Sequence, residues 1–300
     1  MAAPLPEAAF VAAGPPPPLP SLVSSRKLRT QRLGRTLRLW IPAGLLLALL
    51  ALCFVWPLVY HIPSSTNGNI INADAPPLSP GAWLGTDQNG VDEFSQLVYG
   101  GQVSFEVSIA VTAIGMVLGS CIGIIAGYFG GWVDAVLSRV LDILIAFPAL
   151  VLALAIAEGL GPSEFHVILA ISVFSIPAFG RVTRGATLVL RELPFMVAAR
   201  LAGARRWRII LRHIVPNILP GILTFSLLGI GIVIILEGAL DFLGYGVPPP
   251  TATIGAMIAN GQQTMTVTPE YVLIPSIFLL LVVVSVNMLG DALRERWGVQ

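Results

Sequence analysis

Charge is scarce in this sequence. Asp, Glu, Lys and Arg make up 11% of its 300 residues, and 17 of them are basic, with Lys27 the sole lysine. Ser25 and Arg26 precede that lysine where a phosphate-binding loop would need a glycine-rich turn. Any nucleotide hydrolysis therefore belongs to another polypeptide. The two cysteines, Cys53 and Cys121, both fall in apolar stretches and read as small core residues, not as a disulfide or metal pair. His61, His166 and His213 are scattered without metal-ligand spacing. There is no Gly-x-Ser-x-Gly elbow and no His-Glu-x-x-His helix. Nucleophilic and metal-dependent catalysis thus lack their usual residues.

What the sequence has in abundance is apolar length. Hydrophobic residues make up 55% of it and the mean hydropathy is +0.84, so lipid is its main solvent. Six stretches approach or exceed the roughly 20 residues needed to cross a bilayer core. They are predicted near 39–60, 103–127, 137–157, 166–183, 217–240 and 271–290, the fourth being short and interrupted by Pro177. The first follows a Pro- and Ala-rich tail and a basic run and is too long for a signal-peptide core, so it is expected to remain. Residues 1–38 are expected to form a disordered cytoplasmic tail with a basic juxtamembrane segment. Residues 39–102 supply the first span and an outer loop with an interfacial helix, and 103–297 a five-helix core.

The basic residues fix an orientation. With the N-terminus inside and six crossings, all 17 fall on the cytoplasmic side. The outer loops 61–102, 158–165 and 241–270 contain none, which is the positive-inside bias. Trp40, Trp56 and Tyr60 bracket the first span as interfacial anchors.

Residues 184–217 form a basic island between apolar spans. Pro194 suits a helix start and Gly203 a left-handed helix end, predicting a short helix over 195–202. A second is expected from Arg205 to His213, with Trp207, Ile210, Leu211 and Ile214 on one face. Such an island could anchor at the headgroups. Its first helix, built on Ala198, Ala199, Ala202 and Gly203, suits docking into a groove of a soluble partner better.

Few ionisable groups fall within spans. Glu106 and Glu237 lie near outer ends; Arg139 and Asp142, three residues apart, are expected to pair on one helix face. Gly229, Gly231 and Gly238 leave room around Glu237 for a cavity or another helix. No chain of buried Asp, Glu or His suggests a proton relay. Gly115, Gly119, Gly123 and Gly127 recur every four residues as a stripe for close helix approach, and Ala149, Ala153 and Ala157 repeat it. In the 241–270 loop, Pro248, Pro249 and Pro250 argue for a stiff turn. Ile254, Met257 and Ile258 share a face that could dip into the outer leaflet. Thr86 or Asp87 is expected to cap an interfacial helix. Asp87-x-Asn89-Gly90 resembles a calcium loop only faintly, lacking its remaining ligands.

These segments together resemble the permeases of ABC importers, specifically the second (C-type) subunit of the dipeptide/oligopeptide family. The coupling-loop pattern Glu-Ala-Ala, three residues, Gly, nine residues, Ile-x-Leu-Pro is matched by Val197-Ala198-Ala199, Gly203 and His213-x-Val215-Pro216. The outer segment Leu84-Gly85-Thr86-Asp87-Gln88-Asn89-Gly90-Val91-Asp92 resembles Leu-Gly-Thr-Asp-x-x-Gly-Arg-Asp. Further matches are Ala126 to Asp134, Asp142 to Pro148, Phe242 to Val247 with Pro249 to Thr251, and Asn287 to Arg294. Two departures stand out: Val197 replaces the pattern's Glu, and Val91 its Arg.

The resemblance implies an all-α inner-membrane protein of six transmembrane helices with both termini cytoplasmic, in the type I importer fold. It implies a subunit of an ATP-driven importer for di- or oligopeptides in a bacterial cytoplasmic membrane, not itself an enzyme. Expected partners are a second permease subunit in a heterodimer, one or two ABC ATPase subunits carrying ATP and Mg, an extracytoplasmic substrate-binding protein, and lipid, but no nucleic acid. No cofactor or metal is expected on this chain. The 184–216 loop would couple to the ATPases through Val197, Ala198, Ala199, Arg200, Gly203 and Pro216. Glu237, Phe242, Tyr245 and Met257 are the candidates for the translocation path and gate, and Gly85, Thr86, Asp87, Gly90 and Asp92 form the outer-loop motif. An ion-coupled carrier and a non-transporting scaffold are the alternatives.

Overall fold

The computed structural model describes residues 25–60 and 62–298, with 25–37 described in backbone only. Of the tail and basic segment expected over 1–38, residues 1–24 lie outside the described residues, as does His61. The chain divides into units 1–37 and 38–300. Residues 25–37 of the first are helical; everything below concerns the second.

Among the described residues five helices are long and apolar enough to cross a membrane: α1 Arg38–Val59, α2 Glu93–Phe129, α5 Glu164–Arg191, α7 Arg206–Phe242 and α9 Glu270–Trp297. A sixth crossing requires the pair α3 Gly131–Ile145 and α4 Ala149–Leu160, which are bent by 85° at their junction. The predicted continuous third span is therefore a broken one. Pro148 is the cause: it disfavours helical backbone at Phe147 and itself adopts extended ψ 126° before starting α4. Two short α-helices, α6 Pro194–Leu201 and α8 Ile254–Gln262, and a 3-10 turn over Ile70–Asn72 accompany them.

The glycine stripe of α2 finds its partner in α5. A Cβ at Gly115 would overlap the Ser175 hydroxyl, one at Gly119 the Ile176 carbonyl, and one at Gly123 the Gly180 carbonyl and Thr183 hydroxyl. At Gly127 it would come within 2.9 Å of the Arg184 carbonyl. Backbone therefore lies on backbone over three turns, as small-residue stripes permit. Around this seam sit three apolar clusters. One joins α1, α2, α7, α8 and α9 through Cys53, Phe105, Ile254, Met257 and Phe278. A second joins α2, α4, α5 and α7, with Ala153 and Ala157 of the alanine stripe buried in it. The third lies at the end bearing α6 and contains Met196, Phe179, Ile210 and Ile214.

The structure revises four expectations. The separate helix over 205–213 does not exist: α7 runs unbroken from Arg206, and a π-helical segment Ile210–Ile214 precedes Pro216 and absorbs its missing N–H. Its expected single apolar face splits, with Ile210 and Ile214 buried but Trp207 and Leu211 exposed. Asp142 pairs with Arg181 at 2.7 Å instead of with Arg139, because α5 crosses beside it. And α8 is buried against protein, not dipped in the leaflet: Gly255 packs on the Gly238 carbonyl, and Ile254 and Met257 enter the first cluster.

Replacing Gly123 with Ala should cost about 1–3 kcal/mol or more, since the methyl meets a backbone carbonyl that cannot rotate away. Gly185→Ala, with open space at its Cβ, should be neutral. Thermal unfolding of the purified protein in detergent reads the difference.

Candidate functional site

The first candidate region is α6. Leu193 is extended, with ψ 146°, Pro194 opens the first turn, and the Met196 and Val197 amides donate to the Leu193 carbonyl. Gly203 adopts φ +75° at the far end, where its amide donates to Arg200 and the Ala204 amide to Ala199. The left-handed exit anticipated from sequence is thus present. Among α6 residues only Met196 is buried, 1% exposed, seated with Ile209, Ile210 and Ile214 of α7. Phe195, Val197, Ala198, Arg200, Leu201 and Ala202 face outward, while Ala199 is half-buried.

The neighbourhood of α6 is braced by charge. The Arg184 guanidinium binds both carboxylate oxygens of Asp134, one at 2.7 Å, tying α5 to the start of α3. Arg191 donates to the Gly127 carbonyl at 2.8 Å and to Glu192 at 2.8 Å. Arg200 donates to the Arg191 carbonyl at 3.0 Å. Both charged neighbours that could replace the missing coupling-loop Glu, Arg200 and Glu192, therefore already have local partners. Pro216 is exposed within α7.

The second region is the outer apparatus. Residues 69–75 run against 85–91, linked from the Asn69 amide to Gly90, from Asp74 to Asp87 and from Thr86 to Ala75. Gly85 and Gly90 have φ +89° and +71°, and a Cβ on either would overlap a carbonyl of the opposite arm. The Thr86 hydroxyl accepts the Ala75 amide at 3.0 Å and donates to the Asn72 carbonyl. Asp87 accepts the Asn89 and Val91 amides at 2.8 Å through Oδ1 and the Gln96 amide group at 2.9 Å through Oδ2. No helix starts at Thr86 or Asp87; the cap is Asp92, whose Oδ2 accepts the Ser95 amide at 2.8 Å and opens α2. Burial raises the Asp92 carboxyl above its ordinary value, against the pull of that amide. Val91, where the pattern carries Arg, is buried. Every motif residue therefore serves the loop's own architecture, and Asp87 has little left for calcium. Among the described residues no three His, Cys, Asp or Glu side chains converge on a metal site.

The four gate candidates do not converge. Glu237 is fully buried between α2 and α7, accepting from the Ser104 hydroxyl at 3.0 and 3.2 Å. One turn on, buried Asp241 accepts the Val247 amide at 2.8 Å and so shapes the turn after α7. Phe242 and Tyr245 are partly exposed and line a cleft of about 580 Å³ with Glu158, Gly161, Pro248 and Asn260. Met257 is buried and lines a different cleft, of about 230 Å³, between the outer loop, α8 and α9. Sequence reasoning gave no role to Glu93, Asp134, Met196 or Asp241. Two carried a signal: Asp134 as the end of the Ala126–Asp134 match, and Asp241 one helical turn from Glu237.

Comparison with known proteins identifies this architecture. A family model described as "Binding-protein-dependent transport system inner membrane component" matches residues 119–299. The glutathione transport system permease protein GsiD of Pectobacterium atrosepticum is 37% identical over 85% of both chains. The dipeptide transport system permease protein DppC of Alkalihalophilus pseudofirmus is 40% identical over 71% of this chain and 70% of its own. The probable D,D-dipeptide permease DdpC of Escherichia coli is 38% identical over 84% and 83%. Among solved structures, the inward-facing MetNI methionine ABC transporter matches in fold, with TM-score 0.56 at 18% identity over 68% of this chain and 96% of that one. An amino acid ABC transporter crystallised with histidines gives 0.53 at 16%, over 67% and 94%.

Gly203→Val should strain the exit of α6 by about 1 kcal/mol or more, because a β-branched residue resists positive φ. Limited trypsinolysis at Arg205 and Arg206 should accelerate severalfold, while the Gly123 seam keeps its thermal stability.

Proposed function

The chain belongs to the inner-membrane permeases of binding-protein-dependent transport systems, in the C-type branch of peptide and glutathione ABC importers, and we propose that it couples ATP hydrolysis to passage through α6. It is a non-catalytic, multi-pass inner-membrane subunit. This membership displaces the ion-coupled carrier and the scaffold as readings.

The observation that carries the coupling proposal is the seating of α6. An eight-residue helix held by a single buried side chain, Met196, presents Val197, Ala198, Leu201 and Ala202 as an apolar outward face, with exposed Phe195 and Arg200 beside it. That is the form of a helix that enters a groove on a soluble subunit. With Val197 in place of an acid, docking rests on shape. The ATP and Mg would be held by one or two partner ATPases, and a second permease would complete the pathway. ATP-driven closure of the ATPase pair would move α6, and through Met196 the inner ends of α5 and α7, in alternating access. The cargo would be a short peptide or a peptide-like thiol, the class named for the relatives. The turn shaped by Asp241, with Phe242 and Tyr245, would belong to the outer gate, and the 241–270 segment to the landing surface of the binding protein.

Ala198→Arg places a long cation on the outward face of α6. It should lower substrate-stimulated ATPase activity and uptake at least tenfold while membrane insertion stays normal. Uptake at the wild-type rate would sink the coupling role.

Orientation is tested separately. A cysteine in place of exposed Thr251 should react with an impermeant maleimide in intact cells, and one in place of exposed Arg206 only after permeabilisation. Reversed labelling would remove α6 from the ATPase side.

A further inference from the structure

The cleft beside Met257 is lined by Asp87, Asn89, Glu93, Gln96, Asn260 and Tyr271. Glu93 is 3% exposed, and its Oε2 has no hydrogen-bond partner among the described residues. A carboxylate oxygen shut from bulk water without a donor is unfavourable unless a ligand supplies one. Asp87 cannot relieve it, being an acid whose oxygens are already engaged by Asn89, Val91 and Gln96. Asp92, next to Glu93 in the chain, and Glu270, at the start of α9, add repulsive negative charge to that of Asp87.

Among the described residues no Lys or Arg lines the cleft. The sequence has no Lys or Arg between Arg38 and Arg139, nor between Arg212 and Arg294, and the whole cleft is built from those two intervals. The composition of the walls also selects the kind of cation. Among the described residues the acids do not converge as metal ligands do; the remaining lining is the side-chain amides of five Asn and Gln residues, with Met257, Gly261 and the Tyr271 ring. Those amides can accept N–H donors through their oxygens, and the ring offers a π face, so the negative charge of the acids, not the amides, selects a cation. About 230 Å³ admits one side-chain head group and a few waters, at ~30 Å³ each.

We propose that this cleft receives one ammonium or guanidinium side chain of the extracytoplasmic binding protein, with the Glu93 carboxylate as its counter-ion. The proposal rests on the importer reading, which supplies the partner, and on the orientation that places the cleft outside. It names the chemistry of the landing surface: an acidic socket on this subunit and a single basic plug on the binding protein. The interaction would be salt-sensitive and would govern docking more than the chemistry of transport.

The test uses the assembled transporter in nanodiscs and measures docking of its binding protein by interferometry at low and high salt. Glu93→Gln removes the counter-ion, and Gln263→Lys at the exposed rim of the same cleft supplies a tethered competing cation without touching the core. Both should weaken docking at least tenfold at low salt, and Gln263→Lys should flatten the salt dependence. Wild-type docking affinity in an intact Gln263→Lys complex overturns the proposal, whatever Glu93→Gln does to folding. Unchanged docking with uptake lost in both variants also overturns it, since the cation would then come with the cargo. A wild-type complex that recruits no binding protein would remove the importer reading itself, and the proposal with it.

Discussion

The contact on which the rest depends is the approach of the α2 backbone to that of α5. In lipid there is no hydrophobic drive between helices, so packing must come from close van der Waals fit. Four glycines at four-residue spacing provide it, with the ladder running from the Ser175 level to the Arg184 carbonyl. Because the seam is backbone on backbone, it fixes register as well as distance. Arg184 then arrives opposite Asp134, and Arg191 opposite the Gly127 carbonyl. The ion pair and the hydrogen bond are consequences of the seam, and they lock its end where α5 leaves the bundle.

That register also decides where polar groups can be buried. Ser104 and Glu237 meet because α2 and α7 pack on the same side of the seam. Asp241 is spent on the Val247 amide, so the turn after α7 is held by the helix that precedes it. A buried acid used this way is architectural; Glu237 is itself fully buried, although the surrounding glycines suggested room for a cavity. The glycines leave space that is filled elsewhere: Gly231 faces Asn287, and Gly238 faces Gly255 and Leu279.

What could be read from the sequence followed from local rules. Apolar length located the crossings, four-residue glycine spacing the seam, and Pro194 with Gly203 the ends of α6, because each of these acts within a few residues. What could not be read depended on neighbours distant in sequence. Arg139 and Asp142 have ideal spacing for a helix pair, but Arg181 of another helix wins Asp142 at 2.7 Å. Asp87 looks like a cap by its position, yet its oxygens close a turn and leave Asp92 to open α2. Glu93 gave no signal at all, since its isolation is defined only once the outer loop folds over it. The second helix of the island was expected to end at His213; a π segment over Ile210–Ile214 lets it continue through Pro216 instead.

That continuity has a mechanical consequence. A helix as short as α6 is marginal in water by itself, so its shape depends on the Met196 seat, and displacing it displaces the seat. The seat is made largely of Ile209, Ile210 and Ile214, which belong to α7, and α7 runs 37 residues to Phe242 without a break. At 1.5 Å per residue that is a rod of about 55 Å, long enough to span the membrane from the α6 end to the Asp241 turn. Its irregular section, the π segment followed by Pro216 and Pro220, lies entirely at the end beside α6. A push on α6 would therefore meet a bendable foot and a stiff shaft, and the shaft would carry the motion to the turn that Asp241 holds. A separate second helix over 205–213, as the sequence suggested, would have lost that motion in a hinge.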